Sequence, residues 1–178
     1  MRVSVGILPP KKIFNKILKI EKEIAEKYKT YSNLRTKLGP HITITYQPNV
    51  NRKDFKKVER FVNGISKKTK SFKIKIKGVD IFPKNRVIYL KVLKSKELDK
   101  LFKELSNNLK QFGKIRSHEM FTPHITLVKK DVTKENFKKS FKEFKNKGFS
   151  YGFNIDNLYL GKAKPTERIR VVKSFKLK

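Results

Sequence analysis

The sequence predicts a bilobal α+β protein in which two similar halves face a central cleft. A Pro-His-Ile-Thr-aliphatic segment occurs twice, at residues 40–44 and 123–127, and each copy follows a strand pattern and a helix pattern. The spacing also agrees, because Arg2 precedes His41 by 39 positions and Arg86 precedes His124 by 38. An internal repeat of this kind indicates a duplicated unit. We therefore expect two pseudo-symmetric lobes, each containing a βαβ unit, with antiparallel sheets.

The hydrophobic pattern of the first half predicts the order strand, helix, loop, strand, helix, strand. Alternating apolar residues indicate strands, and apolar residues spaced three or four apart indicate helices. Pro9-Pro10 favours a helix start directly after the first strand. The predicted elements are a strand over 2–8, a helix to about residue 28, a loop over 30–38, the first histidine strand, a helix over 55–65 and a strand over 72–77.

The second half repeats this order and adds strands at its end. Residues 82–85 (Phe-Pro-Lys-Asn) predict a turn, after which the pattern starts again. Gly148 is expected to follow the last helix in a left-handed conformation. The predicted elements are a strand over 86–92, a helix over 98–109 that ends near Gly113, the second histidine strand, a helix over 137–144, and strands over 149–155, 158–161 and 169–175.

Composition restricts the class of protein. The 178 residues include no cysteine, so neither a disulfide nor a thiolate metal site can form. No apolar run approaches the roughly 20 residues that a membrane helix needs, and the first ten residues read as a strand and turn, not as a signal peptide. We expect a cytoplasmic monomer that does not associate with a membrane.

The charge balance is strongly basic. Lys and Arg together number 46 against 15 Asp and Glu, which gives a net charge of +31 at pH 7. Neutralising phosphates and releasing their counterions is favourable, so RNA or another phosphate-rich ligand is the expected partner. Most of this charge is lysine spread over every predicted helix, and a general compositional bias is therefore the alternative explanation.

Each histidine motif places one imidazole beside one hydroxyl. Successive side chains of a strand point to opposite faces, so His41 and Thr43 share one face of the first strand. His124 and Thr126 share a face of the second strand for the same reason. The proline before each histidine suits a strand start, which places both imidazoles near strand ends. A single His-x-Thr segment is usually structural, whereas its recurrence in a matched setting favours a function.

Together these segments resemble the two-histidine phosphoesterase superfamily, whose signature is a pair of His-x-(Thr/Ser)-aliphatic motifs. The sequence is most similar to the branch of RNA 2′,3′-cyclic phosphodiesterases and 2′-5′ RNA ligases. The resemblance covers nearly the whole chain and rests on residues 1–9, 40–44, 81–83 with 86–90, and 121–127.

The resemblance implies a single catalytic domain over residues 1–178, with one lobe at about 1–80, the other at about 86–178, and strands that can exchange between them. It also implies metal-independent opening of RNA or nucleotide 2′,3′-cyclic phosphates, with no cofactor, and 2′-5′ RNA ligation as a reverse activity. By motif position, His41 and His124 are the acid/base pair. Thr43 and Thr126 are the phosphate ligands, and Lys129 binds substrate where relatives often have arginine.

The residue types suit this chemistry. An imidazole has an unperturbed pKa near 6.5, so at neutral pH one histidine can accept a proton while another donates one. Opening a cyclic phosphate needs a base for the attacking water and an acid for the leaving ribose oxygen. Threonine hydroxyls can donate to the non-bridging oxygens, where charge accumulates. The motifs do not say which histidine is the base.

Three alternatives stay open. Catalytic zinc takes three protein ligands, and although neither motif contains a carboxylate or thiol, His118 and Glu119 could add to the set. A phosphodiesterase for 2′-5′ oligonucleotides would differ only in substrate. A non-catalytic basic protein could instead hold RNA ends through its lysines and stack bases on Tyr46, Tyr89 or Phe121.

Overall fold

The computed structural model describes residues 1–115 and 121–178, and within them eight strands pair antiparallel in one sheet. The predicted order of elements is confirmed. In chain order they are β1 (Arg2–Ile7), α1 (Lys11–Tyr28), β2 (Ile42–Gln47), α2 (Phe55–Lys68), β3 (Phe72–Phe82), β4 (Val87–Val92), α3 (Lys96–Leu109), β5 (His124–Val128), α4 (Lys134–Lys145), β6 (Ser150–Ile155), β7 (Asn157–Ala163) and β8 (Arg170–Lys176). None of the described helices is both long and apolar enough to cross a membrane.

The strand order places the two histidine strands side by side. The order is β6-β3-β4-β5-β2-β1-β7-β8, and β2 meets β5 through Ile42 and Ile125, the residues that follow the two histidines. Each histidine strand is also paired with the strand that begins its own repeat, β2 with β1 and β5 with β4. The repeats therefore meet at the middle of the sheet with their motifs adjacent.

The first helix of each repeat packs against the histidine strand of the other repeat. Helix α1 packs against β5 and α4, whereas α3 packs against β2 and α2. Helix α4 also covers β3, and α2 covers β7 and β8. Each repeat thus contributes its helix to the half of the sheet that holds the other repeat's histidine strand.

The halves of the sheet do not follow the halves of the sequence. β3 pairs with β4 and β6, although most of it lies before residue 80. β7 and β8 come from the end of the chain but extend the half that begins with β1 and β2. Each half-sheet therefore contains strands from both halves of the sequence. β3 also runs on to Phe82 through an irregularity between Ile76 and Val79, beyond the predicted end at residue 77.

Local signals explain the helix ends. The Ser95 hydroxyl accepts a hydrogen bond from the Leu98 amide at 3.2 Å, and the Thr133 hydroxyl accepts one from the Asn136 amide at 3.1 Å. Such caps each stabilise a helix start by about 1 kcal/mol. Gly148 follows α4 with a φ of 61°, as the sequence predicted. The apolar stripes of the helices then face the sheet, where leucine and isoleucine side chains are almost fully buried.

Candidate active site

Both histidines stand at the start of their strands and are held in the same way. His41 Nδ1 lies 2.7 Å from the Gly39 carbonyl oxygen, and His124 Nδ1 lies 2.8 Å from the Thr122 carbonyl oxygen. A carbonyl can only accept, so Nδ1 carries a hydrogen in each ring and Nε2 is the nitrogen that can gain or lose a proton. The two motifs therefore present equivalent imidazole tautomers.

The first motif needs a glycine for this arrangement. Gly39 has a φ of 61°, and a Cβ there would lie 2.4 Å from the Phe14 ring. Any other residue at this position would be strained and would push Phe14 away. Thr122 provides the equivalent carbonyl in the second motif without a positive φ.

The predicted alternation of faces is confirmed in both motifs. The histidine and threonine of each motif are half-buried, while the aliphatic residues between and after them are buried in the core. The half-buried set is His41, Thr43, His124 and Thr126, and the buried set is Ile42, Ile44, Ile125 and Leu127. Each imidazole thus shares a face with its own hydroxyl.

A cavity of about 410 Å³ opens beside the first motif, lined by His41, Thr43 and Lys129 together with residues of several elements. Among the described residues that line it, five are Lys or Arg and none is acidic. The four cations besides Lys129 are Arg2, Lys37, Lys130 and Arg168. A concave surface with charge of one sign concentrates ligands of the opposite sign, so this cavity favours phosphate.

The pKa of His41 lies far below its ordinary value. Burial lowers it to about 4, the hydrogen bond to Gly39 opposes this shift, and the nearby charges of Lys129 and His124 lower it further. The two histidines lie on neighbouring strands, because Ile42 and Ile125, which directly follow them, are paired between β2 and β5. At pH 7 the His41 ring is neutral, and its Nε2 can accept a proton.

Tyr159 of β7 completes the first motif, and sequence analysis missed it. Its hydroxyl lies 3.2 Å from Ser4 Oγ and close to the Thr43 side chain, while its ring makes an edge contact with His41 at 6.2 Å between centroids. Burial raises the pKa of Tyr159 to about 12, so the phenol keeps its proton.

Gly6 of β1 makes room for Tyr159. A Cβ at Gly6 would lie 2.8 Å from the Tyr159 ring and 2.2 Å from the Ile42 carbonyl oxygen. A glycine inside a strand pattern often marks such a close approach. It was the one signal in the sequence that pointed to a neighbour of this kind.

The second histidine is surrounded by aromatic rings instead. The centroids of Phe82 and Tyr89 each lie 5.1 Å from that of His124, and the two rings lie 4.4 Å from each other. Tyr89 is paired with Thr126 across β4 and β5 and is only 4% exposed. The second motif thus has an aromatic wall where the first has Tyr159 and a group of cations.

The aromatic residues considered as base platforms differ in placement. Tyr46 is half-buried and lines the cationic cavity. Tyr89 is buried beside His124, and Phe121 stacks on Phe102 at 4.3 Å between centroids. Only Tyr46 of these three therefore lines the cavity beside the first motif.

Lys129 lies at the cavity wall, close to a buried carboxyl. Burial lowers the pKa of Lys129, and the charges of Lys130 and Arg168 act in the same direction. Glu21 of α1 is 1% exposed, and burial raises the pKa of its carboxyl to about 8 although nearby Lys129 opposes this shift. The cation at the expected substrate-binding position thus has a buried acidic group beside it.

The loop between α1 and β2 is tied to the second motif. Residues 30–32 donate three hydrogen bonds of 2.7–2.8 Å to the Asp131 carboxylate. The Asn33 side-chain amide donates to the Thr126 carbonyl oxygen at 2.8 Å. The polar segment that the sequence predicted as a loop therefore fixes the end of β5 and, through Ser32 and Thr36, lines the cavity.

His118 and Glu119, which were considered as metal ligands, lie outside the described residues. Within residues 1–115 and 121–178, no three His, Asp or Glu side chains are grouped so that they could hold a metal ion.

Comparisons with known proteins agree with the motifs. The 2′-5′ RNA ligase superfamily matches residues 9–166. A Bacillus subtilis protein named RNA 2′,3′-cyclic phosphodiesterase is 28% identical over 136 residues, which are 75% of this chain and 73% of that protein.

Solved structures share the fold across the full length. E. coli LigT complexed with 3′-AMP has a TM-score of 0.70 and 19% identity, covering 99% of this chain and 97% of its own. A Thermus thermophilus protein, TT0787, has a TM-score of 0.73 and 15% identity, covering 99% and 98%. With the sequence match over most of its length, the chain belongs to the 2′-5′ RNA ligase superfamily of two-histidine phosphoesterases, as its paired motifs predicted.

Proposed function

We propose that the protein is a metal-independent phosphodiesterase that opens 2′,3′-cyclic phosphates on RNA ends or nucleotides. The observation that carries this proposal is the matched pair of imidazoles, each held through Nδ1 by a backbone carbonyl, beside a cationic cavity. His41 and His124 are the acid/base pair. Thr43 and Thr126 bind the phosphate. The name of the Bacillus subtilis relative supports the substrate class.

His41 is the base in this mechanism. Its lowered pKa leaves it neutral at pH 7, so Nε2 can take a proton from water as the water oxygen bonds to phosphorus. The bond between phosphorus and one ribose oxygen breaks, and His124 gives that oxygen a proton. The product is a phosphomonoester on the ribose. Each proton transfer contributes a factor of about 10²–10⁴ to the rate.

The hydroxyls and cations act on the non-bridging oxygens. Tyr159, protonated at neutral pH, can donate to Thr43 and so direct the threonine hydrogen towards the phosphate. Lys129 lines the same cavity, where its ammonium group supplies a compact positive charge. Fixed donors of this kind stabilise the charge that develops in the transition state. With an RNA 5′-hydroxyl replacing water as the nucleophile and the ribose 3′-oxygen as the leaving group, the same ring opening would form a 2′-5′ linkage.

The test is a substrate panel with product analysis. Nucleoside 2′,3′-cyclic phosphates, an RNA ending in a 2′,3′-cyclic phosphate and a 2′-5′-linked oligoadenylate are each incubated with the protein, with and without EDTA. We expect turnover of the cyclic phosphates that chelation does not reduce. Binding without product would identify a non-catalytic RNA-binding protein, and products from the oligoadenylate alone would identify the alternative phosphodiesterase. Activity that EDTA abolishes and zinc or manganese restores would overturn the acid/base assignment.

A further inference from the structure

A second cavity, of about 320 Å³, shares a wall with the cationic cavity beside His41. In each of two chain segments, one residue lines the first cavity and a nearby residue lines the second. At the start of β1, Met1 lines the second cavity and Arg2 lines the first. Between β7 and β8, Arg168 of the turn lines the first cavity, whereas Arg170, the first residue of β8, lines the second. The two cavities therefore lie on either side of the same two chain segments.

The second cavity combines cations with an aromatic surface. Of the described residues that line it, four are Lys or Arg, namely Arg52, Lys162, Lys164 and Arg170. The acidic residue among them, Glu167, is paired with Lys164 at 3.3 Å. Phe55 is half-buried, with Lys162 Nζ 4.6 Å from its ring centroid. Cations beside an aromatic face suit a nucleotide, because phosphates bind the cations and a base can stack on the ring.

We propose that this second cavity binds the single-stranded RNA segment that precedes the reacting cyclic phosphate. The inference rests on the proposed function, because the terminal phosphate is then held by the histidine motifs. The strand would run from there past Arg2 and Arg168, which line the first cavity, to Arg52 and Arg170. A cyclic mononucleotide would fill only the first cavity. The second cavity is thus a determinant of affinity for RNA over mononucleotides.

If RNA binds only because the protein is basic overall, any basic groove should contribute to its affinity. A groove elsewhere on the protein allows this explanation to be tested against the proposal. A cavity of about 430 Å³ between α2 and α3 is lined by Lys57, Arg60 and Lys68 with one acidic residue, Glu104. The described residues that line it include none from the cationic cavity beside His41. If the lysines act only through their number, this groove should matter as much as the second cavity. If RNA binding requires a cavity next to the histidine motifs, this groove should contribute little to the affinity for RNA.

The experiment compares two double variants that lose the same charge. Arg52→Gln with Arg170→Gln changes the second cavity, and Arg60→Gln with Lys68→Gln changes the groove between α2 and α3. All four side chains are exposed, so both variants should fold, which circular dichroism checks. KM and kcat are measured with a nucleoside 2′,3′-cyclic phosphate and with a short RNA that ends in the same group.

We expect the Arg52/Arg170 variant to raise KM for the RNA roughly three- to tenfold, the size expected for two exposed charge contacts, with kcat unchanged. KM for the mononucleotide should stay within error. The slope of log affinity against log salt for the RNA should fall by about 0.7 for each phosphate that the variant no longer binds. The control variant should leave all of these values close to those of the wild type.

Three results would overturn the proposal: an unchanged KM for the RNA, an equal rise in the control variant, or an equal rise for the mononucleotide. Fluorescence anisotropy of a labelled RNA with a 3′-phosphate end measures the RNA affinity of each variant independently of turnover. Wild-type turnover of the mononucleotide tests the proposed function alone. A failure of the proposed function can therefore be distinguished from a failure of the proposed role of the second cavity.

Discussion

His41 and His124 are held by the same backbone bond in the same motif, yet their neighbours differ. Beside His41 lie Tyr159, whose hydroxyl is hydrogen-bonded to Ser4 and lies close to Thr43, and a group of cations. Beside His124 lie the rings of Phe82 and Tyr89. The repeat supplies two equivalent imidazoles, and the strands that flank them, β7 and β1 on one side and β4 on the other, make their surroundings unequal. Surroundings of this kind decide which group accepts a proton and which donates one.

The largest expected effects come from removing either histidine. His41→Ala and His124→Ala should each lower kcat by about 10²-fold or more, because each removes one of two proton transfers. The double variant should lose less than the product of the two, because the pair acts as one unit. Steady-state kinetics on a cyclic phosphate measures this, with circular dichroism to confirm folding. Near-normal turnover in either folded variant would remove the mechanism.

An activated substrate should separate the two roles. An aryl oxide leaves without protonation, so a nucleotide aryl phosphodiester does not need the acid. We expect His124→Ala to recover much of its lost rate on that substrate, while His41→Ala, which lacks the base, stays impaired. The ratio of rates on the aryl and cyclic substrates is the readout. The opposite pattern would exchange the assigned roles.

The threonines should contribute less than the histidines. Thr43→Ala and Thr126→Ala should each cost on the order of 1–3 kcal/mol of transition-state stabilisation, the usual value for a hydrogen bond to a charged group. The loss should appear in kcat/KM. Thr43→Ser and Thr126→Ser keep the hydroxyl and serve as matched controls. A serine variant as impaired as its alanine counterpart would show that the methyl group, not the hydroxyl, matters.

Tyr159→Phe and Tyr89→Phe compare the two sides directly. Removing the Tyr159 hydroxyl breaks its hydrogen bond to Ser4 and takes away the polar group beside Thr43, a loss of about 1 kcal/mol that should lower kcat several-fold. Tyr89→Phe keeps the ring beside His124 and should change kcat less than twofold, that is, by less than about 0.4 kcal/mol. Equal effects of the two substitutions would mean that the hydroxyl of Tyr159 does not position Thr43.

The smallest effect concerns the pH profile. His41 must be neutral to act as the base, and its pKa is lowered to about 4, so the acid-side loss of kcat/KM should begin only below about pH 5, where His41 becomes protonated. Lys129→Met removes a nearby positive charge and should move this acid limb upward by a fraction of a pH unit. Lys130→Met is the matched control. An acid limb near 6.5 in the wild type would contradict the lowered pKa of His41.

Much of the fold follows from local sequence. Apolar periodicity fixed the type and order of the helices and strands, and the proline before each histidine correctly indicated a strand start. The pleat of a strand determined that His41 and Thr43 share a face, and likewise His124 and Thr126. These features depend on residues a few positions apart, so they can be read without knowing which strands become neighbours.

Only the tertiary structure decided which strands and side chains lie beside the motifs. Tyr159 reaches Thr43 from a strand more than a hundred residues away in the sequence, and the buried Glu21 lies near Lys129 because α1 packs against β5. The crossing of α1 and α3 between the repeats and the return of β7 and β8 to β1 are likewise long-range pairings. Periodicity indicates that a face will be buried, but not which partner will bury it. The sequence therefore determined the two histidines and their hydroxyls, whereas long-range packing determined how the two sites differ.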